Sequence, residues 1–157
     1  MFEIKFKGLS IPVIFEENND LELVYLRLVF QNSGKIYEEH SGLSKMFARL
    51  LNEGCDDKFF QKIETKAINL SASSTLSNFE LNLACLKEHF AFAMKELYHL
   101  LSKPRFEEKI LQRLKNIALS ELASKNSDYD FLAKTLLNKI SFKTKEFELS
   151  SDGDEKA

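Results

Sequence analysis

A chain of 157 residues is long enough for one domain with a real core and too short for two. With 44% hydrophobic and 29% charged residues it falls among ordinary globular proteins rather than disordered or fibrous ones. A formal charge of -2, from 22 basic and 24 acidic residues, gives no footprint for a nucleic acid, and no run of 18 apolar residues offers a membrane span.

Phe2 to Phe6 alternates apolar and charged residues, and after Gly8 the alternation resumes from Ile11 to Glu16. That predicts an antiparallel pair at the edge of a sheet. Glu17 to Asp20 is a polar turn. Leu21 to Phe30 is the strongest strand pattern, with Val24, Leu26, Leu28 and Phe30 on one side and Leu23, Tyr25, Arg27 and Val29 on the other. Both sides are largely apolar, so this strand is expected in the centre, covered on both faces. Gln31 to Gly34 ends it, and Lys35 to His40 is a polar link.

Ser41 to Gly54 reads as a short amphipathic helix. Leu43, Met46, Phe47, Leu50 and Leu51 fall at i, i+3, i+4, i+7 and i+8. Ser41 is the expected N-cap and Gly54 the expected C′ residue. Lys45 and Arg49 share one side, away from the stripe. Phe59, Phe60 and Ile63 predict a second short helix within Asp56 to Lys66. Ile68 to Ser73 and Phe79 to Leu86 follow as strands, linked by Ser74 to Asn78. Glu88 to Leu101 is a helix with Phe90, Ala93, Met94, Leu97 and Leu101 on one face, and Pro104 separates it from the next.

The longest helix runs from Phe106 to Ala123. Its stripe of Ile110, Leu114 and Ile117 continues to Glu121, a carboxylate that needs a partner there. Ser127 and Asp130 read as a capping box for a last helix from Asp128 to Lys139, with Phe131, Leu132, Thr135, Leu136 and Ile140 as its apolar side. Residues 1–141 are expected to form the domain and 142–157 a polar, flexible tail. The order β-β-β-α-α-β-β-α-α-α predicts an α+β fold, an antiparallel or mixed sheet covered by helices.

Chemistry-bearing residues are sparse. Cys55 and Cys85 form no CxxC and no metal-ligand spacing, so free thiols are expected, with Cys85 buried. His40, His89 and His99 are scattered, and His89 and His99 do not converge on their helix. No nucleophile triad or phosphate loop has spacing support. The absence of a signal-peptide core predicts a cytoplasmic chain, or a periplasmic one had a leader been removed. Neither a metal nor a cofactor is expected.

Two features carry a resemblance. Gly42-Leu43 opens a helix just after a strand and a polar link, and INLSASSTLSNFELNLACLKEHFAFAMKELYHLLSKPRF continues with a hairpin, a helix and a P-x-F phrase before the long helix. Over about residues 10 to 140 this order resembles the N-terminal domain of the M16 zinc peptidases, the pitrilysin, insulinase and mitochondrial processing peptidase group. Active members carry H-x-x-E-H on that helix: two zinc-binding histidines and a glutamate as general base. The frame places Lys45 and Arg49 at the histidines and Ala48 at the glutamate. The third ligand falls on Glu121, and a supporting acidic residue falls on Leu114.

The resemblance therefore implies a catalytically inactive, partial M16-like domain. Glu121 is expected to pair with Lys45 or Arg49, or else to reach solvent. The implied role is to help build a chamber, or hold a peptide, for a homologous active M16 subunit, with self-association as the other partner. Phe79 to Leu86 is eligible for edge-strand pairing with a peptide. Two alternatives stand beside it. One is a stand-alone interaction protein that keeps the fold. The other is a metallopeptidase with an unusual site, which needs three converging His, Asp, Glu or Cys side chains.

Overall fold

Phe79, Leu81, Leu83 and Cys85 alternate along one run, and all four side chains are buried. The computed structural model, which describes residues 1–142, makes this run the middle strand, β5 (Asn78–Leu86), of a three-stranded antiparallel sheet. β3 (Leu23–Gln31) pairs on one side, with Leu26 opposite Leu83. β4 (Asn69–Ser74) pairs on the other, with Ala72 opposite Leu81. Helices α1 (Leu43–Leu51), α2 (Phe59–Glu64), α3 (Phe90–Ser102), α4 (Glu108–Lys125) and α5 (Tyr129–Ser141) complete the α+β order read from the sequence. Ala48 and Leu51 of α1, Phe59 and Ile63 of α2, and Ala93, Leu97 and Leu100 of α3 close over the inner face of β5.

Two strand expectations are corrected. Leu21 to Phe30 does not run through the centre of the sheet: β3 is an outer strand, and only one of its faces is covered. Val24, Leu26 and Leu28 pack on the core, while Tyr25 and Val29 are exposed. The outer face is a polar ladder in which Arg27 Nε donates to Asn82 Oδ1 at 2.9 Å, 3.8 Å from Glu80. The first two strands are not an edge of this sheet either. β1 (Phe2–Phe6) and β2 (Leu9–Val13, not Ile11 to Glu16) form a separate hairpin. Lys7 and Gly8 both take positive φ (48° and 84°), the geometry that a two-residue hairpin turn requires.

Three caps also differ from the sequence pattern. Ser41 does not cap α1. Gly42 occupies the N-cap with φ 90° and offers no side chain, so Glu38 reaches across instead. Its carboxylate accepts from Leu43 N at 2.9 Å and from Ser44 N at 3.3 Å. This satisfies two orphan donors and places negative charge at the helix start. Gly54 is left-handed (φ 82°) but lies two residues beyond the C-cap, Asn52. At α5, Asp128 caps by accepting from Asp130 N and Phe131 N, while Ser127 Oγ donates to Ala123 O. The expected apolar side of α5 stays open, with Leu132, Leu136 and Ile140 exposed.

Asn52 ties α1 to the sheet. Its Nδ2 donates to Ala72 O at 2.9 Å and its Oδ1 accepts from Ala72 N at 2.7 Å, a side-chain copy of strand pairing on the outer edge of β4. Asn52→Ala leaves both backbone groups of buried Ala72 without these partners. The expected loss is about 2 kcal/mol, read as a lower urea midpoint at unchanged slope.

Candidate functional site

The buried side of α1 is Ser44, Ala48 and Leu51, spaced i, i+4 and i+7, which keeps only Leu51 of the stripe read from the sequence. Leu43 and Phe47 of that stripe are exposed. They turn toward a cavity of ≈ 680 Å³ bounded also by Phe30, Phe79 and Phe106. The rings contact one another in a chain of tilted pairs: Phe47 lies 5.2 Å from Phe79 and 5.7 Å from Phe106, centroid to centroid. Large apolar residues on this side of α1 make a cleft wall, while the small Ser44 and Ala48 let the helix approach β4. Ser44 Oγ lies 2.6 Å from Ser74 Oγ.

Lys45 and Arg49 lie on the opposite side of α1, facing α4. With Glu121 and Ala118 they line a small recess of ≈ 20 Å³, close to the volume of one water. Arg49 Nη2 stands 2.5 Å from Glu121 Oε2. The structure thus brings together three of the four predicted positions and joins Glu121 to Arg49. The fourth, Ala48, is buried in the core and does not line the recess. Leu114, one face-repeat before Glu121, is buried as well.

Zinc takes neutral imidazole, thiolate or carboxylate donors. A guanidinium and an ammonium have no lone pair to give at neutral pH, and an alanine cannot accept a proton from water. What this locus can do is hold two helices together by an ion pair. Arg49 is largely covered, and Glu121 is 43% exposed. A double-mutant cycle with Arg49→Ala and Glu121→Ala is expected to give a coupling of about 0.5–1 kcal/mol, shrinking as salt is raised.

Phe79 to Leu86 is not available for edge pairing, because β5 is hydrogen-bonded on both sides. The outer strands are β3 and β4. A peptide-pairing role read from alternation alone fails here because the best-buried alternation marks the centre of a sheet.

A second group of polar residues was not legible in the sequence. Cys55, Asp56 and His99 bring their ligand atoms within 4.8 Å of one another. Burial, together with the charges of Asp56 and Glu96, pushes the Cys55 thiol up, while a hydrogen bond from Lys62 holds the Asp56 carboxyl below its usual range. The sequence separates Cys55 from His99 by two strands and a helix, so no spacing could signal the contact. No helix among the described residues is long and apolar enough to cross a membrane.

Residues 13–153 match the family described as Insulinase (Peptidase family M16). A Helicobacter pylori protein (strain ATCC 700392 / 26695) called "Non-peptidase homolog YmxG" is 36% identical over 138 residues, 85% of this chain and 32% of that protein. A crystal structure of a "peptidase M16 inactive domain" from Pseudomonas fluorescens superposes with a TM-score of 0.79. That match has 24% identity and covers 87% of this chain and 35% of the other; it shows the shared fold. The chain spans about a third of the length of both relatives.

Proposed function

The chain belongs to the insulinase family of M16 peptidases, and on that premise we propose that it is a catalytically inactive member that helps form a chamber, or hold peptide, for an active homologous partner. The observation that carries the reading is the Arg49–Glu121 ion pair. On the frame taken from the resemblance, Arg49 and Glu121 stand at two of the family's metal-ligand positions, and Lys45, at a third, lies beside them. The name of the Helicobacter pylori relative, a non-peptidase homolog, supports the same reading. The phenylalanine-walled cleft between α1 and the sheet supplies an apolar surface for peptide side chains. Strand addition by such a peptide is open to β3 rather than to β4, since Asn52 already engages the edge of β4 at Ala72.

A stand-alone, self-associating interaction protein is the second reading. The exposed Leu136, Leu137 and Ile140 on α5 favour it.

Native mass measurement on the protein purified from its source cell separates the two, together with a peptidase assay on each species. The expected species contains a second M16 chain with an intact H-x-x-E-H helix, and peptidase activity belongs to that species alone. A homodimer without such a chain supports the second reading. Peptide hydrolysis by this chain alone overturns both.

A further inference from the structure

We propose that Cys55, Asp56 and His99, with the buried Glu96 carboxylate beside them, form a binding site for a divalent transition cation of the zinc class. It lies on the side of the molecule where α3 meets the loop after α1, and it involves none of Lys45, Arg49 and Glu121.

Glu96 is the observation that points to a ligand. It lies on the core-facing side of α3, 7% exposed, and its Oε2 has no hydrogen-bond partner. A buried carboxylate oxygen without a donor costs free energy and calls for a cation or a proton. The nearest cationic candidate, His99 Nδ1, is 4.0 Å away, too far for a hydrogen bond. That same ring nitrogen is 3.5 Å from Cys55 Sγ, and Cys55 Sγ is 4.0 Å from Asp56 Oδ2. The sulfur, the imidazole nitrogen and one Asp56 carboxylate oxygen lie within 4.8 Å of one another, and Glu96 Oε2 stands beside the imidazole, on the edge of that group. Thiolate with imidazole selects zinc-class ions over magnesium or calcium.

The loop that carries two of these ligands is held in place. Arg105 N donates to Gly54 O at 3.2 Å, and the Arg105 guanidinium pairs with Asp57 and Glu107. Asp56 Oδ1 accepts from Lys58 N at 2.8 Å, which turns Oδ2 inward. Lys62 Nζ lies 3.0 Å from that Oδ2. Its ammonium competes with a metal for the same oxygen, so this lysine sets the affinity.

Binding replaces the Cys55 S–H bond by a sulfur–metal bond and releases one proton to solvent. Because that proton must leave, the affinity rises with pH.

The test is titration of the full chain with zinc alone against a chromophoric chelator, and separately with cobalt followed by absorption. One equivalent of zinc and a thiolate-to-cobalt charge-transfer band are expected. Cys55→Ser should abolish the band and weaken zinc at least about tenfold, and His99→Gln should weaken it similarly. Lys62→Met should bind more tightly than the parent, a change of opposite sign that a misfolded variant cannot mimic. Failure to retain zinc against the chelator, absence of a thiolate band, or zinc binding indifferent to Cys55→Ser and His99→Gln would each overturn the proposal.

Discussion

Gly34→Ala is expected to destabilise the protein by about 3 kcal/mol, although its backbone is ordinary (φ -94°). The demand here is for space rather than for a left-handed conformation. A Cβ at Gly34 would lie 2.5 Å from Asn78 N, 2.5 Å from Ser77 C and 2.7 Å from Thr75 O, all backbone atoms that cannot step aside singly. The close approach exists because the segment after β3 docks on the β4–β5 turn through its main chain. Gly34 N donates to Ser77 O at 3.1 Å, Lys35 N to Thr75 O at 3.2 Å and Ile36 N to Leu76 O at 3.0 Å. The same segment carries Glu38, the residue that caps α1, and it walls the apolar cleft. Gly34→Ala should therefore lower the urea midpoint and loosen the start of α1, seen as faster amide exchange at Leu43 and Ser44. Gly8→Ala is the control. Its Cβ meets nothing within 4 Å, and only the left-handed backbone opposes it, at about 1 kcal/mol. Equal effects at the two positions would mean that the docking of this segment does not hold the site together.

What could be read in advance follows from how far each pattern reaches. Local periodicity placed the α-helices and strands of the described residues in order, and the stripe ending in Glu121 pointed to a pair with Lys45 or Arg49, of which the structure makes the second. Strand rank was misread because Leu21 to Phe30 has Tyr25 and Val29 on its second side, and apolar content there does not tell a covered face from an open one. The rotation of α1 was misread for a related reason. Phe47 and Leu43 are large and apolar, yet the closest approach to β4 is made by the small Ser44 and Ala48. Glu38 as a cap and the meeting of Cys55 with His99 depend on tertiary contact across 5 and 44 residues. No window of sequence contains the second.

Ala48 separates a chain that has only lost its ligands from one that has rebuilt around the loss. Lys45→His with Arg49→His, in a Cys55→Ser background that silences the proposed second site, places two imidazoles i, i+4 apart beside Glu121. Three neutral or anionic donors on two packed helices suffice for zinc. Binding is expected to tighten at least about a hundredfold over the same background, roughly 2.8 kcal/mol. Adding Ala48→Glu is expected to have the opposite consequence. Ala48 is 5% exposed, part of the cluster with Leu51 and Phe59, and a carboxylate there must be buried without a partner or push α1 off the sheet. The cost should be about 3 kcal/mol, read as a fall in midpoint with no peptidase activity gained. A stable quadruple variant that cleaves peptide would show that the core beneath α1 still tolerates the base and that only surface ligands were lost. An unstable one would show that the helix has settled into the sheet at Ala48, so that losing the base and tightening the packing are a single structural change.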